Sequence, residues 1–138
     1  MAASRNTIQR QLVIAAVRAL ANHPTAEDVY NRIILEYPDI SKGTVYRNLN
    51  SLVESGLLEK VAVPDSADRF DHILSKHYHI RCTICGEFHN VQDIPYFPDL
   101  DDKIANVTKY RLNRHQIVFS GVCPECQKAG AVAEKKYW

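Results

Sequence analysis

The spacing of apolar residues predicts two helices near the start of the chain. The first is predicted over residues 7–20, and one face carries apolar residues four apart: Ile8, Leu12, Ala16 and Leu20. The second is predicted to begin after Thr25, because Thr25 and Asp28 resemble a capping box. It is expected to end before the Tyr37-Pro38 pair, since proline cannot continue a helix.

A third helix is predicted from the N-cap residue Ser41 to Gly56. Its buried face is expected to consist of apolar residues at helical spacing: Val45, Leu49 and Leu52. The other side then carries small and polar residues that could contact a ligand: Gly43, Thr44, Tyr46, Arg47 and Asn50.

Two strands are predicted after the third helix. Residues LEKVAV form the first strand, PDSAD forms the turn, and RFDHI forms the returning strand. Three short helices followed by a hairpin is the order of a winged helix-turn-helix, in which the third helix enters the major groove of DNA. A small helical domain with a merely solvated third helix has the same pattern, so this alternative to DNA binding stays open.

The composition changes near residue 71 toward histidine, cysteine and strand-forming residues. One helix is predicted over residues 98–107, and strands are predicted over residues 79–83, 88–91, 109–113 and 115–122. The predicted fold is therefore α+β, with an N-terminal winged helix-turn-helix over residues 1–70 and a small α/β dimerisation domain over residues 75–138. A hinge is expected at residues 68–74.

Composition bounds the class of protein only loosely. The 138 residues are 46% hydrophobic, which suffices for two small cores. The N-terminus lacks the apolar run of a secretory signal, and no stretch approaches the ~20 apolar residues of a membrane span. We therefore expect a cytoplasmic protein with no membrane partner. A net charge of +1 is no argument for nucleic acid, although Arg5, Arg10 and Arg18 lie in an N-terminal stretch without acids.

Two Cys-x-x-Cys pairs predict a structural metal site. The four thiols belong to Cys82, Cys85, Cys123 and Cys126. Gly86 permits a tight turn after the first pair, and in a reducing cytoplasm such pairs are more often metal ligands than disulfides. Four thiolates suit a tetrahedral zinc ion, Zn²⁺, with no open position for catalysis. Disulfides or free thiols are the alternatives.

Two histidines and an acid suggest a second metal site. His77 and His79 lie two residues apart, so a strand would direct both imidazoles to one side, and Asp71 lies shortly upstream. Nitrogen and oxygen ligands without a thiolate suit iron(II), manganese(II) or zinc rather than copper(I). The alternative is that these are ordinary core or surface histidines, which is our interpretation of three others: His72, His89 and His115.

Five motifs spread over nearly the whole chain carry a family resemblance. They are Arg5-x-Thr7-x-Gln9-Arg10, His23-Pro24-Thr25-Ala26, Gly43-Thr44-Val45-Tyr46-Arg47-Asn48-Leu49, Arg69-Phe70-Asp71, and His77-Tyr78-His79 ahead of Cys-x-x-Cys-Gly. In combination they resemble the ferric uptake regulator family. The resemblance implies a bacterial, metal-dependent transcription regulator with an N-terminal winged helix and a C-terminal dimerisation domain. Its expected partners are a second copy, in a homodimer, and a palindromic double-stranded DNA operator.

The resemblance also implies which residues bind DNA. It identifies the third helix as the recognition helix, with Tyr46 and Arg47 expected at the DNA. The full set of expected contacts comes from the first and third helices: Arg5, Arg10, Lys42, Thr44, Tyr46, Arg47 and Asn50.

The same resemblance implies a regulatory metal site that joins the two domains. Its ligands would be His23 from the DNA-binding half, Asp71 from the hinge, and His77 and His79 from the dimerisation half. An ion held by both halves would fix their relative angle, and hence the spacing of two recognition helices in a dimer. The four cysteines fall where many family members hold structural zinc.

The Arg-Phe-Asp and His-Tyr-His motifs are most similar to the peroxide-sensing branch of the family. That similarity implies Fe²⁺ or Mn²⁺ in the regulatory site. It also implies that bound iron reacts with peroxide and that His23 and His77 become oxidised. Such chemistry is a switch without turnover, so we do not expect an enzyme.

Two departures from the family pattern concern metal ligands. Asn90 stands where the family usually has an acidic ligand, and a neutral amide oxygen would bind iron(II) more weakly. Asp93 is three residues further on, so in a regular strand its side chain would point to the opposite face from Asn90. It could replace Asn90 as a ligand only if a bulge or loop redirected it. Some iron regulators of the family have a second metal site built from acids and histidines, and this site is not expected here. His115 matches one of its ligands, but Lys76 and Tyr78 occupy positions where two other ligands would be expected.

We therefore predict a metal-dependent, DNA-binding repressor that senses peroxide through iron or manganese. An iron- or zinc-uptake regulator that senses only metal level is the alternative within the family. A metallohydrolase using His77, His79 and Asp71 is a second alternative, although no convincing general base accompanies them. A zinc-ribbon interaction module without any sensing is a third.

Overall fold

The chain divides into two compact units, one ending at Ser75 and the other beginning at Lys76. The computed structural model describes residues 4–20, 23–64 and 66–130. The outer ends of both predicted domains, and one residue of the predicted PDSAD turn, lie outside these ranges. Within them, every helix is too short or too polar to cross a lipid bilayer.

The first unit has the element order of a winged helix-turn-helix. Its elements are α1 (Arg5–Ala19), α2 (Ala26–Ile33), α3 (Lys42–Glu54), β1 (Glu59–Val61) and β2 (Arg69–Asp71). The two strands pair antiparallel, with Lys60 opposite Phe70. The three predicted helices and the predicted hairpin are thus confirmed.

Side-chain caps explain where α2 and α3 begin. The Thr25 hydroxyl accepts from the Asp28 N–H at 3.2 Å, and the Asp28 carboxylate accepts from the Thr25 N–H at 3.0 Å, which completes the predicted capping box. The Ser41 hydroxyl accepts from the Thr44 N–H at 3.1 Å at the start of α3. Local sequence therefore determines both helix starts.

One apolar core lies between the three helices of the first unit. The predicted face of α3, Val45, Leu49 and Leu52, is fully buried there. The predicted face of α1 is confirmed at Ala16, which is buried, and at Leu12 and Leu20, which pack against this core. It is wrong at Ile8, which is 46% exposed, and it omitted the buried residues Val13 and Val17. Residues 13–17 are all apolar, so four-residue spacing fits more than one face and only packing against α2 and α3 selects among them.

The second unit is a three-stranded sheet with two helices. Its elements are β3 (His79–Cys82), β4 (Phe88–Asn90), α4 (Pro98–Thr108), β5 (Val118–Gly121) and α5 (Pro124–Lys128). The strand order is β4-β3-β5, with β3 antiparallel to β4 and parallel to β5. Together with the first unit, this confirms the α+β class.

Two predictions for the second unit need correction. The strand predicted over residues 109–113 is absent, because Lys109 ends α4 in the left-handed conformation and the chain turns there. The Tyr110 N–H then donates to the Thr108 hydroxyl at 3.3 Å instead of to a neighbouring strand. The helix α5 was not predicted, since its five residues are too few to show a helical period.

Candidate functional site

Four sulfur atoms converge at one end of the sheet in the second unit. Cys82 ends β3, and Cys123 follows the adjacent parallel strand β5 and caps α5. The Sγ atoms of Cys82 and Cys126 are 3.8 Å apart, and those of Cys85 and Cys123 are 3.9 Å apart. All four Sγ atoms lie within 4.8 Å of one another. A tetrahedral zinc ion with Zn–S bonds of about 2.3 Å needs sulfurs about 3.8 Å apart, so the four thiols fit zinc.

Backbone donors prepare one of these thiols to be a thiolate. The N–H groups of Cys123 and Cys85 donate to the Cys82 sulfur at 3.4 and 3.5 Å. They lower the pKa of the Cys82 thiol to about 6. The hydrogen bond with the Cys123 side chain raises the pKa of Cys126 to about 12. A metal ion would displace the remaining protons, because thiolates are the ligands.

The turn after the first Cys-x-x-Cys pair needs its glycine. Gly86 has φ of 77°, in the region that favours glycine, and its N–H donates to the Cys82 carbonyl at 3.0 Å. This is the tight turn predicted from the sequence. It directs both thiols of the pair toward one point.

An imidazole and a buried carboxylate lie side by side in the first unit. The Nε2 atom of His23 is 3.1 Å from the Oδ2 atom of Asp71, whose side chain is 2% exposed. The other carboxylate oxygen, Oδ1, accepts from the Ile73 N–H at 2.9 Å. The Phe70 N–H donates to the Pro24 carbonyl at 2.9 Å, so β2 is bonded to the segment that carries His23. The fold therefore offers one nitrogen and one oxygen donor together.

Arg69 holds His23 in an unusual backbone conformation. His23 has φ of 54°, which costs a residue with a side chain on the order of 1–3 kcal/mol. The Arg69 guanidinium donates to the His23 carbonyl at 3.1 Å. Arg69 belongs to the Arg69-Phe70-Asp71 motif, but no role was predicted for it. Its position two residues before Asp71 could have indicated that it lies near the metal ligands.

The second unit brings two further imidazoles together. The rings of His77 and His79 are 4.6 Å apart, as the two-residue spacing predicts. Asn90 of β4 lies directly opposite His79 in the strand register, so both side chains are on one face of the sheet. Asp93 follows the end of β4, is exposed and has φ of 63°, so it is not part of this strand pair.

The remaining histidines differ in their surroundings. His89 pairs with Glu87 at 3.2 Å on the surface, and His72 is exposed. His115 bonds to Asp101 at 2.8 Å and to the Tyr78 hydroxyl at 2.7 Å. Sequence reasoning missed Asp101, because nothing in the spacing of residues 101 and 115 indicates that they meet.

The exposed face of α3 carries the side chains expected at DNA. Tyr46, Arg47 and Asn50 are exposed. The Arg47 guanidinium donates to the Thr44 hydroxyl at 3.1 Å, which directs it along the helix. A groove of about 410 Å³ separates α1 from α3, and its lining is polar: Asn6, Thr7, Arg10, Thr44, Arg47 and Ser51. Two guanidinium groups in one groove favour an anionic ligand.

The remaining predicted DNA contacts differ in their surroundings. Arg10 lies in this groove and donates to the Ser55 hydroxyl at 2.8 Å. Lys42 lies against α2 instead, with its Nζ 3.9 Å from Glu27 Oε1 and 5.4 Å from the Tyr30 ring centroid. Arg5 is exposed at the first position of α1. The fold thus joins Arg10 with Arg47 and ties Lys42 to α2.

Comparison with known proteins agrees with this geometry. The model of the Ferric uptake regulator family matches residues 2–120. The chain belongs to the ferric uptake regulator family. This family member is 35% identical over 127 residues to the peroxide operon regulator of Bacillus subtilis (strain 168), with 90% of this chain and 85% of the relative covered. It is 33% identical over 129 residues to the peroxide-responsive repressor PerR of Staphylococcus epidermidis, with 91% and 83% covered.

A solved structure extends the similarity to the fold. The peroxide stress regulator of Campylobacter jejuni is 28% identical to this ferric uptake regulator family protein, with a TM-score of 0.68. The comparison covers 88% of this chain and 91% of that one. The family resemblance and the fold class expected from the sequence are therefore confirmed.

Proposed function

We propose that this ferric uptake regulator family protein is a metal-dependent transcriptional repressor that senses peroxide through a bound iron or manganese ion. The observation that carries the proposal is the contact of His23 with the buried Asp71 carboxylate, which puts metal-ligand chemistry on the same unit as the winged helix. Its similar relatives in Bacillus and Staphylococcus are named for peroxide regulation. A switch of this kind regulates transcription without catalytic turnover.

The proposed regulatory site combines donors from both units. His23 and Asp71 come from the first, His77 and His79 from the second, and the Asn90 amide is a candidate fifth ligand. Only residues 72–76 separate Asp71 from His77, so the chain limits their separation to about 20 Å. Imidazole and carboxylate ligands suit Fe²⁺ and Mn²⁺. A bound ion would fix the angle between the units, and hence the affinity for DNA.

The four cysteines are proposed to hold structural zinc. The sulfur separations of 3.8 and 3.9 Å support this assignment. Zinc there would connect the ends of the parallel strands β3 and β5, which belong to a unit with few other buried residues. A four-thiolate site leaves no coordination position for catalysis, so its contribution is to folding.

The proposed DNA interface is the exposed face of α3 together with the groove beside α1. Arg47 and Tyr46 would enter the major groove of DNA. Arg10 would contact the sugar-phosphate backbone, because it lies with other polar side chains in the protein groove between α1 and α3. Arg5, Thr44 and Asn50 are proposed at the edge of the interface. Because a two-fold dimer presents two such helices, the operator is expected to be palindromic. Because the proposed partner is genomic DNA, the proposed location is the cytoplasm.

An exposed apolar surface on the second unit supports the homodimer. In the described residues, α4 buries no side chain, although Leu100, Ile104 and Val107 form an apolar stripe along it. Ile80 and Phe119 are also exposed and lie opposite each other on β3 and β5. Apolar patches of this kind mark interaction sites, and a second copy would cover this one.

Mass spectrometry after peroxide treatment tests the sensing step. The protein is loaded with Fe²⁺ without oxygen, exposed to hydrogen peroxide, and digested. We expect a one-oxygen mass gain on the peptides that carry His23 or His77. The Mn²⁺-loaded protein is the matched control and should show no gain, because the oxidation needs iron. Absence of the gain in the iron form would exclude peroxide sensing.

An iron- or zinc-uptake regulator is the second candidate, and Asn90 favours it. This neutral residue lies opposite His79, where the family usually has an acid, so the site would bind Fe²⁺ more weakly than a site with a further carboxylate. Such a protein would respond to metal level and leave the histidine peptides unmodified. A metallohydrolase is disfavoured, because the family consists of transcription regulators.

A further inference from the structure

The tyrosine between His77 and His79 is anchored in a buried hydrogen-bond network. Tyr78 is 2% exposed. Its hydroxyl is 2.7 Å from His115 Nε2 and accepts from the Phe97 N–H, just before α4, at 3.0 Å. The ring also lies near those of Tyr96 and Phe119. Tyr78 thus connects the strand of the proposed ligands to the start of α4.

The network around Tyr78 continues through His115 to Tyr96 and Asp101. Because Tyr78 accepts from Phe97, its own hydroxyl proton is available to donate to His115 Nε2. His115 Nδ1 lies 2.8 Å from Asp101 Oδ1 and 3.0 Å from the Tyr96 hydroxyl. The His115 N–H donates to the Tyr96 hydroxyl at 3.0 Å, which donates to Asp101 Oδ2 at 3.0 Å. Each polar side-chain atom of His115 and Asp101 thus has a hydrogen-bond partner inside the network.

These contacts occupy both ring nitrogens of His115. Its Nε2 faces the Tyr78 hydroxyl and its Nδ1 faces Asp101, so both nitrogens already have partners within the chain. Lys76 lies near the same network, with its Nζ 5.1 Å from the Tyr96 ring centroid. Hydrogen bonds and a lysine therefore occupy the place where the family resemblance would put a second metal. The network connects α4 to β3 without an ion.

The main chain around Tyr78 is held from both sides. Its carbonyl accepts from the Val91 N–H at 2.9 Å, beyond the end of β4. The N–H of His79 donates to the Ile117 carbonyl at 3.2 Å, just before β5. With the side chain anchored at α4 as well, Tyr78 has no freedom to rotate about the strand axis.

We propose that Tyr78 is a positioning residue that orients His77 and His79 for the regulatory metal through this metal-free network. Neighbouring residues of an extended chain point to opposite sides, so rotation of Tyr78 about the strand axis would turn both imidazoles away from a common point. Anchoring one side chain therefore orients two ligands. This inference rests on the proposed function, because it requires His77 and His79 to bind the regulatory ion.

The test removes one hydroxyl and measures metal binding. Tyr78→Phe keeps the buried ring and loses the bonds to His115 and Phe97. We expect the Kd for Mn²⁺, measured with the zinc-loaded protein, to rise about tenfold, the lower end of what loss of a ligand-orienting partner costs. The visible d–d spectrum of the Co²⁺-substituted site should also shift, since it reports ligand geometry. Tyr110→Phe is the matched control, because the Tyr110 side chain is 72% exposed, and it should leave both readouts unchanged.

A second variant approaches the network from its other end. His115→Ala removes the partner of the phenol and leaves Tyr78 intact, so it should raise the Mn²⁺ Kd and shift the Co²⁺ spectrum in the same way. Unchanged Kd and spectrum in folded Tyr78→Phe and His115→Ala proteins would overturn the inference, even if the Tm of either falls. Failure of the wild-type protein to bind Mn²⁺ would instead overturn the proposed function.

Discussion

The Nε2 atom of His23 lies 3.1 Å from the Oδ2 atom of Asp71, and the two residues are distant along the sequence of the first unit. One precedes α2 and the other ends the wing strand β2. The carboxylate is buried and shares its oxygens between this imidazole and the Ile73 N–H. Because Asp71 ends the wing strand β2, a metal ion bound to this pair would be attached to the wing itself. Binding or loss of the ion could therefore change the position of the DNA-binding elements through this short strand.

Replacement of Asp71 tests this pair. Asp71→Asn keeps an oxygen that can accept from the Ile73 N–H but removes the charge that would bind a cation. We expect Mn²⁺ affinity to fall by more than about tenfold, because loss of an outer partner alone costs about 10–100-fold. Calorimetric titration of zinc-loaded protein provides the measurement. The exposed Asp68 offers a control, and Asp68→Asn should bind Mn²⁺ like the wild type.

Removal of a zinc ligand should unfold the second unit. Cys82→Ser eliminates the thiolate that accepts both backbone N–H bonds, and a structural zinc contributes on the order of 10 kcal/mol to folding. We expect loss of zinc, measured by elemental analysis, with loss of the dimer and of near-UV circular dichroism. Ile84→Ser, between the same two cysteines, should retain zinc because Ile84 is exposed. A Cys82→Ser protein with wild-type Tm and dimer would contradict the zinc assignment.

Arg47 is expected to contribute more to operator binding than Lys42. Arg47→Ala should weaken specific binding by about 1–3 kcal/mol if the guanidinium contacts a base edge, and by less if it contacts a phosphate. Lys42→Ala should have a smaller effect, because Glu27 and the Tyr30 ring hold that ammonium against α2. Fluorescence anisotropy at several salt concentrations separates base from phosphate contacts. Equal losses of operator affinity in the two variants would contradict the expectation that Arg47 faces the DNA while Lys42 lies against α2.

The apolar stripe of α4 predicts how the dimer can be disrupted. Ile104→Glu places a charge in the centre of the stripe, where a second copy would have to desolvate it. Because Ile104 is exposed within one chain, we expect a folded monomer in analytical ultracentrifugation. Lys103→Glu changes charge at an adjacent exposed position of the same helix and should remain dimeric. A dimeric Ile104→Glu protein would show that the interface lies elsewhere.

Acid should destabilise the second unit through Asp101. The hydrogen bond from His115 lowers the pKa of the Asp101 carboxyl, with further lowering from Tyr96 and Lys76. The folded-state pKa is thus below the unfolded value of about 3.9, so the stabilisation is complete above that value and is lost as pH falls through the folded-state pKa. Thermal unfolding between about pH 5 and pH 2 should show a shallower loss in Asp101→Asn than in wild type. Asp102→Asn, at the neighbouring exposed position, should follow the wild type.

Features with short sequence separation were predictable. The capping residues Thr25 and Ser41 determined the starts of two helices, because a cap needs only its own next three residues. The buried face of α3 was predicted from the helical spacing of its apolar residues. The His77-x-His79 spacing and the glycine after Cys85 predicted local geometry for the same reason.

Features that depend on contacts between distant segments could not be predicted from local sequence patterns. The strand predicted over residues 109–113 has the composition of a strand, and it fails because the left-handed Lys109 turns the chain away from any pairing partner. The rotation of α1 was decided by packing against α2 and α3, since several of its faces are apolar.

The sequence by itself determined the family, the element order of the first unit, and the residue types able to bind metal, because each of these is recorded in local spacing. Only the tertiary structure decided that Arg69 holds the His23 backbone and that Tyr78 bonds to His115. The physical reason is that these contacts join residues distant along the chain. Their formation depends on strand register and helix packing, and neither has a signature within a single segment.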